Sequence, residues 1–196
     1  MTLPAELLEG LEILAMVTGV GYAVLAARRD RLCWLSGAVS SACAALLAGL
    51  RGLPMQSGLQ VFFVGMAVYG WVHWTRDAAE GELHVGRWPL DRHLAAAAGC
   101  VLLSFASARV LASETQAAWP LLDSLTTWFS LLATWLAARA RLENWLYWIV
   151  IDTALAYLFW KQQLPWLALL NVLFIAIAAS GFIAWRRRLT TQVVPA

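Results

Sequence analysis

Long runs of apolar residues follow one another along almost the whole chain, separated by short polar connections. Seven of them approach the roughly 20 helical residues needed to cross a hydrocarbon core of about 30 Å. They run from Leu7 to Ala27, Leu32 to Leu50, Ser57 to Thr75, Leu94 to Leu111, Ala118 to Ala138, Trp145 to Trp160 and Pro165 to Trp185. Each run is continuously apolar, whereas the strands of a membrane barrel alternate in polarity. The expected fold is therefore all-α and integral to a membrane, with seven transmembrane helices. The first run follows Glu6 and Glu9 instead of a basic leader, so it reads as a spanning helix and not as a signal peptide.

The pattern is also duplicated. Shifted by 111 residues, the chain matches itself without a gap: Leu25-Ala26-Ala27-Arg28 on Leu136-Ala137-Ala138-Arg139, Trp34 on Trp145, Leu53-Pro54 on Leu164-Pro165, Gly70 on Gly181 and Trp74 on Trp185. About a third of the positions from Leu25 to Arg76 are identical to their partners, well above what a composition rich in Ala and Leu produces by chance. This shift carries the first, second and third helices onto the fifth, sixth and seventh. Four crossings separate each pair, so the two units run in the same direction.

The expected architecture is a single transmembrane domain over residues 1–196 in a 3+1+3 order: a first repeat at 7–75, a linker helix at 94–111 and a second repeat at 118–185. Parallel repeats of this kind are one plan for a transporter, with substrate held near the midplane and access alternating as the repeats rock. Channels and non-transporting scaffolds also contain repeats, so the polar residues have to discriminate.

Composition fits the membrane reading, with 61% hydrophobic and 13% charged residues and a mean hydropathy of +0.67. A soluble surface needs far more charge. When the connections are assigned alternately to the two sides, Arg28, Arg29, Arg31, Arg76, Arg87, Arg92, Arg139, Arg141 and Arg186 to Arg188 fall together. Only Arg51, Arg109 and Lys161 fall on the other side, which puts the N-terminus outside and the C-terminus inside. The mixed-charge stretch from Arg76 to Arg92 reads as a solvated connection.

Candidate chemistry concentrates in Glu143-Asn144-Trp145-Leu146-Tyr147-Trp148-Ile149-Val150-Ile151-Asp152. Trp145, Trp148 and Asp152 are spaced i, i+3, i+7 and share one helical face. At 1.5 Å per residue, Asp152 lies roughly 10–14 Å into the membrane, where a carboxylate normally faces a cavity or a partner. Two indoles beside an acid suit a flat cationic ring, which can stack while its charge is held by cation–π attraction and the carboxylate. The matched amides Gln60 and Asn171 could bind a carboxamide or hydroxyls, although interhelical bonding is their structural alternative. Trp34 and Ser41, the repeat partners of Trp145 and Asp152, complete the candidate binding set. Glu12 and Asp123 pair near the outer ends of helices one and five. Trp74 and Trp185 read as interfacial anchors, and Gly70 and Gly181 as close-packing points.

Cys33, Cys43 and Cys100 have no metal-type spacing, and His73, His84 and His93 form no ligand pair on one helix face. No phosphate loop or nucleophile elbow occurs, so neither enzyme chemistry, a metal, a cofactor nor a nucleic-acid partner is expected. On Glu143-Asn144-Trp145-x-x-Trp148-x-x-x-Asp152, Asn171, Gly181-x-x-x-Trp185, Gln60 and Gly70-Trp71-x-x-Trp74, the chain resembles the PnuC-type nicotinamide riboside transporters of the Pnu vitamin family. The resemblance implies a seven-helix, SWEET-like bundle in the bacterial inner membrane, moving a cationic vitamin precursor by facilitated diffusion. It also implies a cytoplasmic kinase that traps the substrate, and a homo-oligomer is compatible with it. Thiamine, likewise cationic, is the alternative substrate; a non-transporting scaffold and a proton-coupled carrier using Asp152 are the other readings.

Overall fold

Every apolar run becomes an α-helix, because a chain in hydrocarbon must satisfy its own backbone groups internally. The computed structural model describes residues 4–50, 54–79, 84–114 and 119–193. In chain order the helices are α1 (Ala5–Ala27), α2 (Leu32–Leu50), α3 (Pro54–Ala79), α4 (Leu90–Glu114), α5 (Pro120–Ala138), α6 (Asn144–Lys161) and α7 (Pro165–Val193). There is no strand among the described residues, only an isolated parallel bridge between Gly86 and Arg141. The expected residues Arg51, Leu53 and Ala118 lie outside the described ones.

By length and apolarity alone, α1, α2, α4, α5 and α7 can each cross a membrane. The two remaining helices are interrupted by polar groups, His73, Arg76 and Asp77 in α3 and Asn144, Asp152 and Lys161 in α6. Pro165 opens α7 at its first position, where a missing N–H leaves no intrahelical bond unmade. Several helices outrun their apolar stretch. α7 continues past Trp185 through Arg186, Arg187 and Arg188 to Val193, since backbone bonding does not stop where hydrophobicity does.

The chain divides into two compact units, Met1–His84 and Val85–Ala196. In the first, α2 packs against both α1 and α3; in the second, α6 packs against α5 and α7, and α4 against α5. Ser104 Oγ on α4 donates to Ser124 O on α5 at 3.3 Å, and Trp128 Nε1 on α5 donates to Ser107 Oγ at 3.1 Å.

The sequence repeat is reproduced in the backbone. Two residues past the end of α1 stands Arg29 at φ 61°, and two past the end of α5 stands Ala140, its repeat partner, at φ 50°. Asp30 N donates to Leu25 O at 2.9 Å and Arg29 N to Ala26 O at 2.9 Å. In the second copy Arg141 N donates to Leu136 O at 2.8 Å and Ala140 N to Ala137 O at 2.9 Å. Both turns are Schellman motifs built without glycine, so two satisfied carbonyls offset a left-handed residue that costs about 1–2 kcal/mol.

The cores of the two copies match as well. Trp34 covers Gly70 so closely that a Cβ there would fall within the indole, and it meets the ring of Trp74 edge-on at 5.4 Å and 85°. Trp145 covers Gly181, where a Cβ would sit 2.7 Å from the ring, and meets Trp185 at 5.4 Å and 90°. Trp74 and Trp185 are therefore not interfacial anchors: they are 2% and 0% exposed. The bare glycine lets neighbouring helices approach until both indoles are enclosed, and packing then governs residues whose chemistry also suits the headgroup region.

Candidate functional site

The first turn of α6 is organised by the residues just before it. Asn144 Nδ2 donates to Arg141 O at 2.6 Å, and Glu143 O accepts from Leu146 N at 3.0 Å and Tyr147 N at 3.3 Å. This start sets the rotation of the helix and hence the stripe of Trp145, Trp148 and Asp152. Trp145 is buried, Trp148 half-buried, and Asp152 only 6% exposed. Among the described residues no ion pair or hydrogen bond engages the Asp152 carboxylate. The indole N–H of Trp145 is likewise buried without an acceptor. An unpaired acid and an unpaired donor on one helical face form a site that a ligand carrying positive charge and a hydrogen-bond acceptor could complete, since leaving either group unmet carries a desolvation cost.

Asn171 lies on α7, the neighbour of α6, and is 6% exposed. Its Nδ2 donates to Leu167 O one turn earlier at 2.8 Å, which leaves the second N–H and the carbonyl oxygen for a bond from elsewhere. One of its four hydrogen-bonding positions is thus taken up by its own helix.

The other three candidates belong to the first unit. Trp34 is 2% exposed beneath Tyr22 and Trp74, and its indole N–H, like that of Trp145, has no acceptor among the described residues. Ser41 and Gln60 are half-buried, on α2 and α3. Where the second repeat has Asp152 and Trp148, the first has Ser41 and Gly37, and Tyr22 occupies the space over Gly37, 2.9 Å from where its Cβ would be. Acid and second indole are thus confined to one copy.

A polar cluster that helical spacing does not reveal lies at the start of α6. Glu143 is 7% exposed, and its carboxylate accepts from Arg87 Nε at 3.0 Å and from Trp88 N at 3.3 Å. His93 Nε2 is 3.9 Å away, and His93 Nδ1 is hydrogen-bonded to the Tyr147 hydroxyl at 3.0 Å. Gly86 N donates to Ala140 O at 3.0 Å and Leu142 N to Gly86 O at 2.9 Å, so the segment before α4 lies as a strap across the α5–α6 turn. A side chain at Gly86 would collide with the Arg141 guanidinium. Of the connection expected to be solvated, the described strap is docked here through Val85, Gly86 and Trp88, with Val85 4% exposed, while Arg87 stays exposed. Composition concealed this because Arg87 and Glu143 look like ordinary surface charges until they are paired; the only signal was Glu143 adjoining the tryptophan-acid block.

A sequence model of the nicotinamide mononucleotide transporter family matches residues 9–187. Two curated proteins, the nicotinamide riboside transporter PnuC of Escherichia coli (strain K12) and that of Shigella flexneri, are each 28% identical over 153 residues, covering 65% of this chain and 64% of theirs. The aligned part thus spans just under two thirds of those relatives. A solved structure, the crystal structure of the vitamin B3 transporter PnuC, superposes with a TM-score of 0.74 at 22% identity, over 92% of this chain and 82% of that one. At that identity the likeness is one of fold.

Proposed function

Because the chain belongs to the nicotinamide mononucleotide transporter family, we propose that it carries nicotinamide riboside across the bacterial inner membrane by facilitated diffusion with alternating access. Asp152 is the observation that carries the reading. It is a carboxylate enclosed in a membrane helix, with Trp148 one turn away and no cation from the described chain to neutralise it. A pyridinium ring supplies the missing charge and a flat surface for indole, while a ribose can use the Asn171 amide. The names of the curated relatives support the same substrate. The distribution of arginines supports an outside N-terminus and an inside C-terminus, and phosphorylation by a cytoplasmic kinase would make a passive carrier accumulate its substrate.

Calorimetry on the purified protein with nicotinamide riboside, thiamine and riboflavin, followed by uptake into proteoliposomes, tests the reading. Nicotinamide riboside is expected to bind most tightly and to enter whether or not a proton gradient is present. Tighter binding of thiamine would reassign the substrate. Uptake abolished by collapsing the proton gradient would make the carrier proton-coupled, and no uptake of any of the three would overturn the carrier reading. Unchanged affinity in both Asp152→Asn and Trp148→Ala would move the site elsewhere.

A further inference from the structure

A cavity of about 710 Å³ opens among α4, α5 and α6, wholly inside the second unit. None of Trp145, Trp148 and Asp152 lines it; it borders a different side of α6, formed by Tyr147, Val150, Ile151 and Ala154. At the equivalent place in the first repeat the two helices are bonded directly to each other. There Ser36 Oγ donates to Thr18 O and Ser40 Oγ to Ala15 O, both at 2.7 Å, drawing α2 onto α1. The repeat register puts Tyr147, Phe129, Ile151 and Thr126 at those four positions, and all four line the cavity. In place of short hydroxyl-to-carbonyl bonds, Phe129 and Tyr147 stack at 6.0 Å and 27°, which holds α5 and α6 apart.

The cavity is polar at one end and apolar beyond it. Arg87, Trp88, His93 and Glu143 cluster where α4 and α6 begin, the level at which these helices meet a headgroup region. From Glu143 to Ala154 the groove follows α6 for about 16 Å at 1.5 Å per residue, half of a hydrocarbon core of about 30 Å, and so the depth of one leaflet. Its rim faces outward, with Leu90 71% and Val150 70% exposed. Arg87 gives only Nε to Glu143, and its side chain is 67% exposed, so the terminal guanidinium nitrogens are available to an anion. Arg92, also exposed, adds positive charge one turn into α4.

We infer that this groove is a binding site for an anionic phospholipid, with the phosphate at Arg87 beside Trp88 and one acyl chain lying between α5 and α6. The chain fits the leaflet depth of the groove, and the guanidinium sits where a phosphate of that leaflet lies. The site is independent of whatever the carrier transports.

Native mass spectrometry of the full-length protein released from nanodiscs of phosphatidylglycerol, and separately of phosphatidylcholine, tests this. Wild type is expected to retain about one phosphatidylglycerol per protomer, more persistently than phosphatidylcholine. Ala154→Trp, which fills the groove, should lower retention about tenfold, and Arg87→Gln should lower it about threefold for phosphatidylglycerol only. Val172→Trp, on an exposed part of α7, should leave it unchanged. Val150→Phe serves where Ala154→Trp does not fold. Equal retention in wild type and both groove-filling variants would overturn the site, and equal retention of the two lipids would overturn the phosphate contact at Arg87. A lipid-free oligomer that dissociates in the groove-filling variants would show that a second copy occupies the groove instead.

Discussion

In the first repeat Trp34 rests on Gly70 and meets Trp74 at 5.4 Å; in the second Trp145 rests on Gly181 and meets Trp185 at the same distance. The turns feeding these tryptophans are the same Schellman motif, down to a left-handed residue at Arg29 and Ala140. One turn further along α2 and α6 the copies part. Ser36, Gly37, Ser40 and Ser41 give α2 small residues that accept α1 closely, whereas Tyr147, Trp148, Ile151 and Asp152 give α6 bulk, a second indole and a charge. Duplication supplied two matching clamps at the helix ends, and divergence beyond the clamp confined the acid and the second indole to the second copy.

The largest effect is expected where the copies agree. Gly70→Val and Gly181→Val should each destabilise the protein by about 2–3 kcal/mol, since the added carbons meet an enclosed indole. Thermal unfolding in detergent should show similar losses for the two. A loss confined to one copy would break the equivalence of the clamps.

Asp152→Asn should weaken binding of nicotinamide riboside by roughly 10- to 100-fold, the value of a charge-assisted contact in a desolvated site, while Ser41→Ala changes it little. Calorimetry on both variants sharpens the comparison, and equal effects would mean that the two copies share the binding work. Glu143→Gln should cost about 1–2 kcal/mol, because Glu143 is enclosed but Arg87 is not, and solvent screens part of the pair. Chemical denaturation can measure that, with Arg87→Gln and the double variant closing a cycle. The smallest effect belongs to Ser36→Ala, about 0.6 kcal/mol for one interhelical bond, read in the same denaturation assay.

The helices were legible because a membrane helix advertises itself by length and apolarity, and α2 spans Leu32 to Leu50 as the hydropathy pattern predicts. The repeat was legible for the same reason that it is structural, since turn and clamp residues must recur for the geometry to recur. What the pattern could not separate was an indole at an interface from one in a core: Trp74 and Trp185 have the composition of one and the burial of the other. Asn171 shows a second limit, because whether an amide donates to its own helix depends on its rotamer and not on its neighbours in sequence. The strap and groove depend on contacts between residues far apart in the chain, and neither Glu143 nor Phe129 declares its partner locally.

The strap also sets an order of events during synthesis. Arg87 and Glu143 are 56 residues apart, and the loop they close contains all of α4 and α5. At about 5–20 residues per second, roughly 3–11 s pass between the emergence of Arg87 and that of its acid. Until then Gly86 has no turn to lie on, and the first unit has left the ribosome with every residue of its own clamp already made. The second unit, which holds the acid of the candidate site, is latched from its N-terminal side only as α6 begins to appear.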